Sequence, residues 1–136
     1  MNGYVNTDAS YELGVAALAY ESRVLGRDVV VVKAQCSTEA ELMALRMAMA
    51  AASNAGLDRL TFRVDSSAAA RPEKIQKPRL LPITQEIMFY MQIHERWRLV
   101  KVPRRSNVQA NCLARKALRA VQPKPHELPV EAVVTQ

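Results

Sequence analysis

Cysteine, glycine and long apolar stretches are all scarce in this 136-residue chain. The two cysteines, Cys36 and Cys112, are too few and too unpatterned for a disulfide framework or a thiolate metal site, which indicates a reduced compartment. No glycine-rich loop follows any predicted strand, so a nucleotide-binding α/β domain is disfavoured. No apolar run approaches a membrane span and the amino terminus carries no signal segment, so we expect an intracellular protein, cytoplasmic or nuclear, without a membrane partner.

Charge is distributed unevenly along the chain. Residues 1–65 contain 6 lysines and arginines against 8 acidic residues, a net charge of −2, whereas residues 66–136 contain 13 against 5, a net charge of +8. This arrangement is compatible with a polyanion bound beside a cluster of carboxylates. A solubilising surface with scattered lysines would have the same totals, so charge alone favours neither interpretation.

Alternation of apolar and polar residues predicts five strands. The first covers 2–10 with Tyr4, Asn6 and Asp8 on one face, and the third, over 28–34, contains a run of valines. The other strands are predicted over 13–20, 60–65 and 97–102. Short connections make the first three strands antiparallel.

The strongest helix signal covers 37–54, rich in alanine, leucine and methionine. Thr38 and Glu41 form a predicted capping box, and Gly56 suits the position after the helix end. Because the helix is apolar nearly all round, it is expected to be buried at the centre of the domain.

Two further helices are predicted, one from a Thr84 cap to His94 and one from a capping box at Ser106 to Val121. Prolines between 72 and 82 argue against a continuous helix there. The chain is therefore divided into one domain over 1–122 and a proline-rich tail or linker over 123–136, in which 130–134 is a candidate short strand.

The order of these elements brings three acidic residues together. A strand, a helix and another strand form a right-handed crossover, so the third and fourth strands should be parallel. Asp8 at the end of the first strand, Glu41 in the first turn of the central helix and Asp65 at the end of the fourth strand then share one edge of the sheet. At such an edge open α/β sheets bind ligands. If the fifth strand is parallel too, the last helix adds Asn107 and Asn111.

Three neighbouring carboxylates repel one another unless a cation lies between them. Mg²⁺ suits such a site because it binds few carboxylates and keeps water for a phosphate substrate, and two ions together promote phosphodiester cleavage. The competing interpretation makes Asp8 and Asp65 ordinary strand-end residues and Glu41 a helix-capping residue.

Four separated motifs resemble those of the ribonuclease H family, in the variety found in plant and retroelement-derived proteins. They are Asp8-Ala9-Ser10, Ala40-Glu41-Leu42-Met43-Ala44-Leu45, Val64-Asp65-Ser66, and a closing motif formed by 102–107 with 110–114. The resemblance covers about residues 2–121 and implies an α/β fold with a mixed five-stranded sheet, three antiparallel strands followed by parallel ones, flanked by helices. It also implies Mg²⁺-dependent endonuclease cleavage of the RNA strand in RNA–DNA hybrids, with Mn²⁺ as the alternative ion.

In that family the metal ligands would be Asp8, Glu41 and Asp65, with Asn111 at the position of a fourth acid. Asn111 is a neutral oxygen ligand that holds a second cation less strongly. The glycine usual after the first aspartate is Ala9, and the loop before the last helix has no histidine. These departures keep two alternatives open on the same fold: a nucleic-acid-binding module with weakened cutting, and a protein-interaction domain within a longer protein.

Several polar residues lie beside the predicted cluster and are candidates for contacts with an RNA–DNA hybrid or a structured RNA. Hydroxyl groups and helix amino termini suit contacts with 2′-hydroxyls and phosphates. Capping and turn formation would explain the same hydroxyls equally well, and the arginines could be merely solvated. The candidates are Ser10, Ser37, Thr38, Ser66, Arg104, Arg105 and Asn107.

Overall fold

The computed structural model describes residues 3–121, which form five strands and four α-helices. The strands are β1 (Gly3–Glu12), β2 (Val15–Ser22), β3 (Gly26–Lys33), β4 (Leu60–Val64) and β5 (Trp97–Lys101). The helices are α1 (Ser37–Asn54), α2 (Ser67–Ala70), α3 (Leu81–Ile93) and α4 (Val108–Val121). The predicted tail over 123–136, with its candidate strand, lies outside the described residues.

The strands form one mixed sheet in the order β3-β2-β1-β4-β5. β1, β2 and β3 are antiparallel neighbours, whereas β4 is parallel to β1 and β5 is parallel to β4. The predicted mixed five-stranded sheet is therefore confirmed. β3 and β4 run in the same direction as predicted, but they are not neighbours, because α1 crosses over β2 and β1 before the chain enters β4.

α1 is buried against the sheet as its composition predicted. Ala40, Ala44, Ala48 and Ala52 recur every four residues and are all fully buried, so the helix approaches the strands closely. The larger Leu42, Leu45 and Met49 fill the main core together with the edge-to-face pair of Phe62 and Trp97, whose ring centroids are 4.9 Å apart.

The opposite face of the sheet is covered by α4. Ala114 and Leu118 pack against Ala17 and Ala19 of β2, and these small side chains allow a short distance between helix and sheet. α4 lies over β1, β2 and β3. One face of the sheet is thus packed by α1 and α3, and the other only in part by α4.

The helix starts differ from the predictions. α1 is capped by Cys36, whose Sγ accepts a hydrogen bond from the Glu39 amide at 3.4 Å, so the predicted Thr38–Glu41 capping box is wrong. Thr84 lies inside α3 and donates its hydroxyl to the Leu81 carbonyl instead of capping the helix.

The remaining predicted turns and breaks agree better with the structure. α4 begins at Val108, two residues after the predicted cap at Ser106. Gly56 follows α1 with φ of +71°, as expected for a glycine after a helix end. The proline-containing stretch is broken into α2 and two 3₁₀ turns, Pro72–Lys74 and Pro78–Leu80. Among residues 3–121 no helix is both long and apolar enough to cross a membrane.

Candidate functional site

Asp8, Glu41 and Asp65 meet at one end of the sheet. One carboxylate oxygen from each lies within 4.8 Å of those of the other two. The approach is possible because β1 pairs with β4 only from Gly3 to Asn6 and continues along β2 to Glu12. Asp8 therefore lies inside β1 and not at its end, where the sequence predicted it. It comes two residues after Asn6, the last residue of β1 that pairs with β4, and Asp65 likewise comes two residues after Arg63, the partner of Asn6.

Glu41 reaches this cluster from α1, which packs on the face of the sheet opposite to α4. It is the fifth residue of α1, just past the first turn, and its Oε1 accepts a hydrogen bond from the Ala9 amide at 3.3 Å. Its Oε2 is buried and has no hydrogen-bond partner among residues 3–121. Burial, and next the charge of Asp8, raise the pKa of Glu41 from 4.5 to about 9. Without a cation this carboxyl is protonated at neutral pH.

Asp65 is the second carboxylate of the cluster whose pKa is raised. Burial and then the charge of Asp8 raise its pKa, while the Arg104 guanidinium, with Nε 3.8 Å from Oδ2, acts in the opposite direction. That Oδ2 is buried and accepts no hydrogen bond in the described part of the chain. Arg104 itself is 80% exposed, so solvent weakens its influence.

Asn111 and Asn107 attach α4 to β1 beside the carboxylates. Asn111 Nδ2 donates a hydrogen bond of 2.6 Å to Asp8 Oδ2, which stabilises the charge on that carboxylate. Asn107 is 1% exposed, and its Nδ2 donates to the Thr7 carbonyl at 2.6 Å. This enclosed side chain therefore helps to hold α4 on the sheet, and its predicted contact with nucleic acid stays a prediction.

The predicted hydroxyl contacts fall into two groups. Ser66 caps α2, because its Oγ accepts a hydrogen bond from the Ala69 amide at 3.2 Å. Ser10 follows Asp8 by two residues on the same strand and is half-buried, while Ser37 and Thr38 occupy the first turn of α1. The contact of all four hydroxyl groups with nucleic acid, Ser66 included, stays a prediction, as does that of the exposed Arg105.

Two determinants of this site escaped the sequence interpretation. The Ala9 amide that holds Glu41 is a backbone group, and no side-chain pattern identifies it. Cys36 was overlooked because cysteine is not among the preferred capping residues, although Glu39 three residues later offered a signal. Glu39 completes this cap by accepting from the Gln35 amide at 2.8 Å.

The donor set fits hard divalent cations. Within residues 3–121, two buried carboxylate oxygens, Glu41 Oε2 and Asp65 Oδ2, accept no hydrogen bond, and the charge of Asp8 opposes the ionisation of both acids. A cation would satisfy those oxygens and replace the proton that Glu41 otherwise retains. Oxygen ligands on a partly exposed rim are the type that Mg²⁺ and Mn²⁺ accept.

Comparison with known proteins yielded one family and a set of similar structures. The reverse transcriptase-like family model matches residues 8–117. Ribonuclease H1 from the halophilic archaeon Halobacterium salinarum superposes with a TM-score of 0.79 at 20% identity, over 89% of this chain and 100% of that one. The amino-terminal ribonuclease H domain of a Mycobacterium tuberculosis protein gives 0.79 at 19% identity, over 88% and 94%.

A third similar structure contains nucleic acid. It is LC11 ribonuclease H1 in complex with an RNA/DNA hybrid, with a TM-score of 0.74 and 18% identity over 84% of this chain and 94% of that one. At such identities these likenesses establish the fold. Among curated proteins, a sequence comparison found no match.

Proposed function

Because the chain belongs to the reverse transcriptase-like family and has the ribonuclease H fold, we propose that it is a metal-dependent endonuclease that cleaves the RNA strand of an RNA–DNA hybrid. The observation that supports this most directly is the convergence of Asp8, Glu41 and Asp65 within 4.8 Å. One similar structure was solved with such a hybrid bound. Structured RNA is the alternative substrate, and further domains of a longer protein would be additional partners.

The three carboxylates would hold Mg²⁺ or Mn²⁺, with the amide oxygen of Asn111 as a weaker fourth ligand. The ions supply activation of a water molecule and charge stabilisation at the leaving oxygen. The chain's own residues prepare the site: the Ala9 amide positions Glu41, and Asn111 holds Asp8 by its amide nitrogen. The hydroxyl groups beside the cluster would contact the 2′-hydroxyls and phosphates of the RNA strand, and the exposed Arg104 and Arg105 its phosphates. These hydroxyl groups belong to Ser10, Ser37, Thr38 and Ser66.

A hybrid-cleavage assay tests this proposal. Wild-type protein should cleave a labelled RNA–DNA hybrid in Mg²⁺ or Mn²⁺ and lose activity in EDTA. Asp8→Asn should lower the rate at least about a hundredfold, because the cluster that would hold the cations loses one of its three carboxylate charges. Asp28→Asn, an exposed acid on the distant edge strand β3, is the matched control and should cleave like wild type. Absence of cleavage in both metals would contradict the endonuclease proposal.

One observation favours a second candidate, a nucleic-acid-binding module with weakened cutting. The fourth acidic position holds Asn111, whose nitrogen is engaged by Asp8 and whose oxygen is uncharged. A protein that binds the hybrid with a salt-dependent affinity but cuts it only after Asn111→Asp would support this candidate. A protein-interaction domain would show neither cleavage nor salt-dependent hybrid binding.

A further inference from the structure

The face of the sheet that carries α4 has a second half that no helix within residues 3–121 covers. The register places Tyr4 of β1 beside Thr61 of β4 and Thr61 beside Arg98 of β5. In the next row Arg63 of β4 lies beside Val100 of β5. These side chains share one face because strand side chains alternate. We call the five residues Tyr4, Thr61, Arg63, Arg98 and Val100 the open sheet face.

This face is accessible to a large partner. α4 lies over β1, β2 and β3, so the β4–β5 side of the sheet stays outside its cover. Tyr4 is 58% exposed and Val100 is 39% exposed, although their neighbours in the strands, Val5 and Leu99, belong to the core or pack against it. An exposed tyrosine in the middle of a sheet face suits a planar partner group.

Positive charge surrounds the exposed tyrosine. The Arg63 guanidinium lies over the Tyr4 ring, 5.2 Å from its centroid. A cleft of about 390 Å³ is lined mainly by Arg59, Arg96 and Arg98. Of these, Arg96 has a partner in Asp58 at 3.3 Å.

A second cleft, of about 460 Å³, lies on the β1–β2 side of the tyrosine. Tyr4, Arg23 and Arg63 contribute to its lining, and Glu21 is its acidic member. Arginines around both clefts outnumber acids, so the surface is complementary to an anionic partner.

The open sheet face is continuous with the carboxylate cluster. Along β1 the same side of the strand presents Tyr4, Asn6 and then Asp8, and along β4 it presents Arg63 before Asp65 follows the strand. With about 6.6 Å between alternate residues of a strand, Tyr4 lies roughly 13 Å along β1 from Asp8. A chain-like ligand that reaches the cluster can therefore extend over this face without a turn.

We propose that the open sheet face binds a single-stranded segment of nucleic acid that continues from the carboxylate cluster. The arginines contact its phosphates, and a base stacks on Tyr4. A duplex keeps its base faces stacked inside, whereas an unpaired strand offers them to an aromatic side chain. The position of the strand relative to the cluster rests on the proposed function, but binding itself requires no cleavage.

The test measures binding of a fluorescein-labelled single-stranded RNA by anisotropy, with the full 136-residue chain in EDTA. The first open-face variant combines Arg98→Glu with Arg59→Glu, whose side chain lines the same cleft as Arg98. It should raise Kd about tenfold and reduce the salt slope by about 1.4, the value for two lost phosphate contacts on a single strand. The charge-matched control, Lys116→Glu with Arg119→Glu on the exposed side of α4, should bind like wild type.

A stacking variant gives an independent readout. Tyr4→Ala should raise Kd about tenfold, and Tyr4→Phe, which keeps the ring, should restore binding. Thermal melts establish that each variant is folded. Equal losses in the open-face and control variants would mean nonspecific attraction and would overturn the proposal, as would unchanged binding in the two open-face variants.

Hybrid cleavage measured in parallel separates this inference from the proposed function. If the wild type does not cut a hybrid but the open-face variants lose single-strand binding selectively, the endonuclease proposal fails and this site stands. If the wild type cuts and the open-face variants bind like wild type, this site fails and the endonuclease proposal stands.

Discussion

At the scale of single residues, each member of the carboxylate cluster has a different environment. Asp8 is nearly buried and accepts a hydrogen bond from Asn111, Glu41 accepts one from a backbone amide, and Asp65 faces the exposed Arg104. Burial, and next the charge of Asp8, raise the pKa of Glu41 so that this carboxyl retains a proton when no cation is bound, although the Ala9 amide acts in the opposite direction. The neutral Asn111 lowers the repulsion around Asp8 and weakens the fourth ligand position.

Asn111→Asp tests this balance. The variant replaces a donor to Asp8 by a fourth carboxylate, so the melting temperature without metal should fall, and added Mg²⁺ should restore it. The Mg²⁺ concentration for half-maximal cleavage should decrease about tenfold. Asn54→Asp at the exposed end of α1 is the control: it should leave the Mg²⁺ requirement unchanged, and any small loss of stability from its charge at the helix end should not be restored by Mg²⁺. An unaltered metal requirement would show that position 111 contributes no ligand.

At the scale of elements, the site depends on where α1 and α4 begin. α1 starts after Cys36, a weak cap that also lies 3.5 Å from Nη2 of Arg79. α4 is held at its start by the buried Asn107. Cys36 lies five residues before Glu41, and Asn107 lies four residues before Asn111. These two attachments therefore determine how the side chains of Glu41 and Asn111 are directed toward the cluster.

Cys36 substitutions should change the stability of α1. Cys36→Ser supplies a preferred cap and should raise the free energy of unfolding by several tenths of a kcal/mol, whereas Cys36→Ala should lower it by about 1 kcal/mol. Urea denaturation measures both effects. The exposed Cys112→Ser serves as the control and should have no effect. A neutral Cys36→Ala would mean that the sulfur does not act as a cap.

Asn107→Ala should loosen α4. The change leaves the Thr7 carbonyl without its donor, so the free energy of unfolding should fall by about 1–3 kcal/mol. Gln109→Ala on the exposed surface of the same helix should stay within about 0.5 kcal/mol of wild type. Equal stabilities of the two variants in urea denaturation would contradict the anchoring role.

At the scale of the whole molecule, metal and pH act on stability through the same carboxylates. The folded state raises the pKa values of Glu41 and Asp65, so it binds protons more tightly there than the unfolded chain does. This contribution is fully present below the unfolded pKa of Glu41, 4.5, and is lost as the pH rises through about 9.

The melting temperature of the metal-free protein should therefore fall as the pH rises from about 5 to about 9. Mg²⁺ should stabilise the protein more at the higher pH values, because fewer protons then compete with it for the carboxylates. Glu41→Gln should flatten the pH dependence, because its neutral amide does not titrate, while the exposed Glu73→Gln should not. Calorimetry in EDTA and in Mg²⁺ measures these differences, and an unchanged pH dependence in Glu41→Gln would contradict the elevated pKa.

Much of the fold was predictable because its signals are local. The alternation in β4, the valine run of β3 and the alanine-rich α1 each determine one element, and the connection rules then orient the strands. The same rules predicted that Asp8, Glu41 and Asp65 share an edge, since strand direction places their backbones. Helix caps were less accurate, because Cys36 and Thr84 make contacts that their residue types do not favour.

The amino-acid sequence by itself determined the elements, the mixed sheet and the meeting of three acidic residues, since periodicity and chain connectivity suffice for these. Only the tertiary structure decided that β4 pairs with β1, that the Ala9 amide holds Glu41, that Asn107 is buried, and which half of the sheet α4 leaves open. The physical reason is that pairing, burial and side-chain hydrogen bonds depend on residues a hundred or more positions apart, as Thr7 and Asn107 are.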